Sequence, residues 1–221
     1  AIKKYRVWLM TEEPQASMMT PMSRSVAIFG AGKIGRSFLG VVFSRAGLRI
    51  TFVDAVPEIV DGLNSSGGYC VVQLSPDGRH RRDRVGGVDA IHASDVDSVR
   101  ALVHRASIIC TAVGMRAFPP VIEQIARGLG EQEPARDTRG AAHDEPKNLI
   151  LAENIHGAGD MAREILTRHG VAVVPGAGGI GIIETSIGKM VPTASPPGLT
   201  LSSPLDVTAE AYNTLIVDRM N

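Results

Sequence analysis

The possible folds narrow most at the stretch Ser25 to Asp54. A short apolar run, Val26-Ala27-Ile28-Phe29, enters the glycine set Gly30-Ala31-Gly32-Lys33-Ile34-Gly35. Phe38, Leu39, Val41, Val42 and Ala46 then give a helical apolar face, Gly47 stops it, and Leu48 to Val53 reads as a second strand closed by Asp54. The spacing predicts strand, tight turn, helix, strand. In that frame Gly30 permits the turn, Gly32 lets a pyrophosphate approach the backbone, and Gly35 lets the helix lie close to its strand. Amide donors at the helix start, aided by the helix dipole, face the phosphates. The acid falls at the distance, roughly 20 residues on, where a carboxylate accepts from adenosine ribose hydroxyls, which favours NAD over NADP.

A chain of 221 residues is long enough for one sizeable core and short for a complete two-domain dehydrogenase. Its formal net charge is zero, which argues against a nucleic-acid surface. Cys70 and Cys110 are too far apart for a metal motif and read as reduced thiols of a cytoplasmic protein, and no apolar run approaches membrane-spanning length. The expectations are therefore no metal, no nucleic acid and no membrane.

Residues 1–24 mix Pro, Ser, Thr and Met without a period and are expected to form a loose arm outside the fold, with Met19 or Met22 a natural start. The fold proper then spans 25–221. Pro57 to Leu63 suits a short helix; Tyr69 to Leu74, the turn Pro76-Asp77-Gly78 and Arg79 to Val85 form an inserted hairpin, and Val88 to Ala93 adds a strand. The cations Arg79, His80, Arg81, Arg82 and Arg84 alternate with acids and read as a solvated face. Asp95 to Arg105 is an amphipathic helix with Ser94 as its cap, and Ala106 to Val113 is a buried strand ending in the small-residue turn Thr111-Ala112-Val113-Gly114. Phe118 to Leu129 is helical, Gly130 to Lys147 a surface insertion, and Asn148 to Ala152 a buried strand delivering Glu153-Asn154 to the edge that bears the glycine turn. Gly159 to His169 is helical. A second glycine match, Gly176 to Gly181, fails on context because strand rather than helix follows it, and Leu205 to Val217 supplies further β segments.

Phe-Gly-Ala-Gly-Lys-Ile-Gly-Arg at 29–36, Thr-Phe-Val-Asp at 51–54, Thr-Ala-Val-Gly at 111–114 and Ala-Glu-Asn at 152–154 resemble mannitol-1-phosphate 5-dehydrogenase and the mannitol dehydrogenase family. Lys-Met-Val-Pro at 189–192 and Pro-Leu-Asp-Val-Thr at 204–208 extend the resemblance, which covers about residues 25–218. It implies a doubly wound, mostly parallel α/β sheet of the Rossmann type, with NAD as cofactor and a polyol or sugar phosphate as substrate. It places the cofactor on Gly30, Ala31, Gly32, Lys33, Ile34, Gly35, Arg36, Asp54, Ala112, Val113 and Gly114, and the reacting oxygen on Asn154.

The family's catalytic set, Lys-x-x-x-x-Asn-x-x-His on a helical carboxyl-terminal domain, has no counterpart here. None of Lys33, Lys147 or Lys189 has Asn five and His eight places on, and the family's Asp-Arg before Ile-x-Pro is replaced by Gly188-Lys189. The expectation is an NAD-binding half that lacks its helical partner domain and is inactive alone. The alternative is a non-catalytic dinucleotide-binding module, a sensor or degenerate enzyme. A methyltransferase using the same glycine turn is a third reading. A short-chain dehydrogenase is excluded, since Tyr5, Tyr69 and Tyr212 lack a Lys four places on.

Overall fold

The computed structural model describes residues 6–8, 25–130, 147–174, 179–188, 191–192, 199–211 and 215–217. Strands β1 (Arg6–Trp8), β2 (Ser25–Phe29), β3 (Arg49–Asp54), β6 (Val88–His92), β7 (Ile108–Thr111), β8 (Lys147–Leu151), β9 (Ile180–Ser186) and β11 (Leu215–Val217) form one sheet; β4 (Gly68–Leu74), β5 (His80–Gly86) and β10 (Val207–Glu210) form a second. The large sheet runs β1-β11-β9-β8-β7-β2-β3-β6, its six strands from β9 to β6 parallel. The chain moves outward from β2 to β3 and β6, then returns to the other side of β2 with β7, β8 and β9. The order therefore reverses between β2 and β7, the place where an open parallel sheet leaves a crevice beyond its strand ends.

Period-two alternation explains why the sheet is covered on both faces. Val26 and Ile28 of β2 enter one apolar cluster with Ile50, Phe52, Cys110 and Ile150, whereas Ala27 and Phe29 enter the other with Ile109, Leu149 and Leu151. On the first face pack the helix after the glycine turn, helix α2 (Pro57–Ser66) and the small sheet, through Phe38, Leu39, Val60, Leu63, Tyr69 and Val207. On the second pack α3 (Val96–Arg105), α4 (Phe118–Gly130) and α5 (Ala158–Arg168).

The inserted hairpin forms in the expected register, Gly68 opposite Gly86 and Leu74 opposite His80. The carboxyl-terminal β segments divide: β10 lies parallel to β4, and β11 joins the large sheet antiparallel to β9. Four expectations are corrected. Residues 1–24 do not stand wholly outside the fold, because Arg6–Trp8 pairs antiparallel with β11; a β-prone Val-Trp dipeptide meets an edge strand with unmet hydrogen bonds. The rest of that arm, Met19 and Met22 included, lies outside the described residues. Helix α3 is capped by Asp95, whose carboxylate accepts from the Ser98 amide at 3.2 Å, while Ser94 faces His92 instead. Helix α2 continues to Ser66, where Gly67 in the left-handed region ends it. The glycine-turn helix is π-wound over Gly35–Gly40 before continuing as α1 (Val41–Arg45). The 131–146 insertion and Gly176 to Gly178 lie outside the described residues.

Among the described residues, no helix is long and apolar enough to cross a membrane, and no group of three or more His, Cys, Asp or Glu is placed to hold a metal ion.

Candidate functional site

Register brings the sequence-predicted residues to one edge. Phe29 pairs with Val53 on one side and Thr111 on the other, Thr111 pairs with Leu151, and Asp54 with His92. The residues that follow these strands, Gly30, Asp54, Ala112 to Gly114 and Glu153-Asn154, therefore emerge together at the carboxyl edge around the β2/β7 reversal. Hydrogen bonds lock the turn into that edge: Gly30 N–H donates to the Val53 carbonyl and Ala112 N–H to the Phe29 carbonyl, both at 2.8 Å.

Two glycines of the fingerprint are demanded by the fold itself. Gly30 has φ +96°, and a Cβ there would overlap the Ala112 carbonyl. A Cβ at Gly35 would overlap the Gly30 carbonyl oxygen, so the helix approaches the turn as closely as backbone permits. Gly32 differs, since a Cβ there meets nothing within 4 Å. Its lack of a side chain serves no internal contact and leaves the backbone open to whatever occupies the edge. Arg36 N–H donates to the Gly32 carbonyl at 3.0 Å where the helix begins, and the first turn of a helix presents its amides outward from the helix end. Exposed Lys33 donates to the Pro192 carbonyl at 3.1 Å, and Ile34 rests on the first apolar cluster.

Asp54 and the glycine turn form one unit. Its Oδ2 accepts from Ala31 N–H at 2.6 Å and its Oδ1 from Val56 N–H at 2.9 Å. The Ala31 amide is thus spent on orienting the acid. A carboxylate offers about four acceptor positions, so acceptors remain for a ligand's hydroxyls.

Arg36, assigned to the cofactor by resemblance, points elsewhere. Its side chain is buried and donates through Nη1 to the Leu205 carbonyl, while the Tyr69 hydroxyl donates to the Arg36 carbonyl at 2.8 Å. Burial lowers the pKa of the guanidinium, and Tyr69, Asp54 and Asp206 raise it in opposition. Asp206 in turn accepts from Cys70 N–H at 2.8 Å and Ser202 N–H at 3.1 Å. Arg36 therefore ties the glycine-turn helix to the small sheet and the 199–211 segment, a destination no local pattern announces.

Asn154 is exposed at the same edge, its Nδ2 3.5 Å from the Ile187 carbonyl. Glu153 beside it turns inward, buried to 7% exposure, and accepts from Val113 N–H at 2.7 Å and Gly114 N–H at 2.9 Å. The sequence brings Glu153 to this edge beside Asn154 but not its inward turn, for which the available signal is an acid placed directly after a buried strand. Gly188 is described and exposed, whereas Lys189 lies outside the described residues.

The reversal of strand order, the glycine turn and the acid ending the neighbouring strand define a Rossmann-type dehydrogenase domain. In fold it is similar to a ketopantoate reductase from Ralstonia eutropha JMP134 (16% identity, TM-score 0.52, 84% of this chain and 46% of that one). It is also similar to octopine dehydrogenase solved with NADH and agmatine (13% identity, TM-score 0.51, 74% of this chain and 34% of that one). The chain spans less than half the length of either protein. Residues 24–221 match the mannitol dehydrogenase Rossmann domain, and the chain belongs to that family.

Proposed function

We propose that this chain is the NAD-binding half of a polyol or polyol-phosphate dehydrogenase, of the mannitol-1-phosphate 5-dehydrogenase type. The observation that carries the reading is the coupling of Asp54 to the glycine turn: a carboxylate already oriented by Ala31 and Val56 stands beside backbone left open at Gly32. That pairing suits a dinucleotide, whose diphosphate needs amides and whose ribose needs an acceptor. The acid opposes a 2′-phosphate by charge, which favours NAD over NADP. When bound, the nicotinamide supplies the hydride acceptor.

This chain's residues bind and orient. The open backbone at Gly32 and the start of the helix hold diphosphate, Asp54 holds ribose, Ala112 to Gly114 wall the crevice, and exposed Asn154 offers an amide donor to the reacting oxygen of the alcohol. The general base that takes the hydroxyl proton belongs to a Lys/Asn/His set on a helical partner domain. The division of labour is tested by following NADH formation from mannitol 1-phosphate and NAD. The chain alone is expected to bind NADH yet show negligible oxidation, with turnover restored when the family's helical domain is joined to it. Robust turnover by the chain alone would show that the catalytic groups are misplaced.

A further inference from the structure

We infer that Glu153 is a positioning residue for the cofactor: its carboxylate clamps the Val113-Gly114 wall of the crevice against the end of β8. The inference rests on the nucleotide reading above and extends it to a residue to which the resemblance gives no role.

Glu153 lies two residues past Leu151, the last paired residue of β8, and alternation along the extended chain separates it from its neighbour. Asn154 is exposed while Glu153 is buried to 7%. Both bonds close loops of 39 to 40 residues, so they join two strand ends rather than satisfying a local turn. The other ties of this segment use its carbonyl and its flanks, the Gly114 carbonyl accepting from Ala117 N–H at 3.1 Å and Phe118 N–H at 3.0 Å, and Ala112 N–H donating to Phe29, so the Val113 and Gly114 amides are oriented by Glu153. Gly114 has φ +76° with open space around it, and Val113, Gly114 and Met115 are half-buried to exposed. A glycine-bearing segment at a sheet edge samples many conformations unless it is tied. Charge-assisted bonds to two consecutive amides set both peptide planes at once. Because a Cβ at Gly30 would overlap the Ala112 carbonyl, displacement of this wall also presses on the glycine turn. Glu153 thus acts on bound nucleotide through Ala112 to Gly114, and the next residue in sequence faces the substrate side.

The test is a fluorescence titration with NADH of the wild type, Glu153→Gln and Glu184→Gln, together with amide NMR shifts of Val113 and Gly114. Glutamine keeps the shape but accepts at only one of the two amides and turns an NH2 toward the other. Glu153→Gln is expected to raise the NADH Kd about tenfold and to move both amide resonances, with the melting temperature changed by no more than a few degrees. Glu184 is the control: on the adjacent strand β9, it accepts from the Gly159 amide at 2.6 Å, a comparable carboxylate–amide tie that does not touch the Val113-Gly114 wall, and its glutamine variant is expected to leave the NADH Kd unchanged. An unchanged Kd in Glu153→Gln, or an equal loss in Glu184→Gln, overturns the inference. Tighter NADH binding in Glu153→Gln overturns it too, since the carboxylate would then be competing with the nucleotide for those amides. Absence of NADH binding by the wild type overturns the nucleotide reading itself, and so is distinct from a failed ratio.

Discussion

Two glycines three residues apart separate the demands of the fold from those of the ligand. At Gly35 an alanine methyl would overlap the Gly30 carbonyl oxygen and stand 3.1 Å from its carbon, both backbone atoms that no rotamer change can move. Overpacking of this kind costs about 1–3 kcal/mol. The reduced freedom of the unfolded chain returns about 0.4–1 kcal/mol. The net loss of about 1–2 kcal/mol lowers the melting temperature by about 2–8 °C for a domain of this size. At Gly32 the same methyl meets nothing within 4 Å, so only the unfolded-state term remains and stability holds or rises slightly. That methyl would occupy the face offered to the diphosphate, and Gly32→Ala is expected to weaken NADH binding by at least about 1.4 kcal/mol, a factor of ten. Thermal denaturation and NADH titration of the two variants in parallel decide the matter. Equal destabilisation by both substitutions, or unchanged NADH affinity in Gly32→Ala, would refute the division.

Asp54→Ala removes the ribose acceptor and releases the Ala31 amide held at 2.6 Å. It is expected to cost about 1–2 kcal/mol of NADH affinity and to shrink the preference over NADPH, both read by titration. Tyr69→Phe deletes a buried hydroxyl that donates to the Arg36 carbonyl at 2.8 Å, a loss of about 0.5–1.5 kcal/mol in urea denaturation at neutral pH. Burial raises the Tyr69 pKa above the ordinary 10.0, so the unfolded chain ionises first. The stabilisation is complete below about pH 10 and declines as pH rises further. The phenylalanine variant should accordingly lose less stability than the wild type between about pH 9 and about pH 11.

Much of the parallel core was legible because its signals are local. Alternation in Val26 to Phe29 foretells a strand buried on both faces, and the steric demand at Gly35, set by the Gly30 carbonyl, arises within six residues of sequence. What escaped was long-range. The alternation of Val207 to Glu210 marks a strand but not its partner, and it pairs with Val71 to Leu74. Arg36 stands where a phosphate ligand would, yet its guanidinium is drawn to Leu205. That contact exists only once the 199–211 segment has folded against the helix. The edge position of Glu153 was legible but its role was hidden for the same reason, its two donors lying about forty residues upstream. The site edge was thus readable from motifs, while the ties that hold it needed the assembled sheet.

The central claim meets its most direct check in a calorimetric titration of the folded chain with NADH and, separately, NADPH. The account predicts a saturable heat with one NADH per chain and affinity for NADPH at least about tenfold lower, a gap of about 1.4 kcal/mol. No heat from either nucleotide, or equal affinity for both, would contradict it.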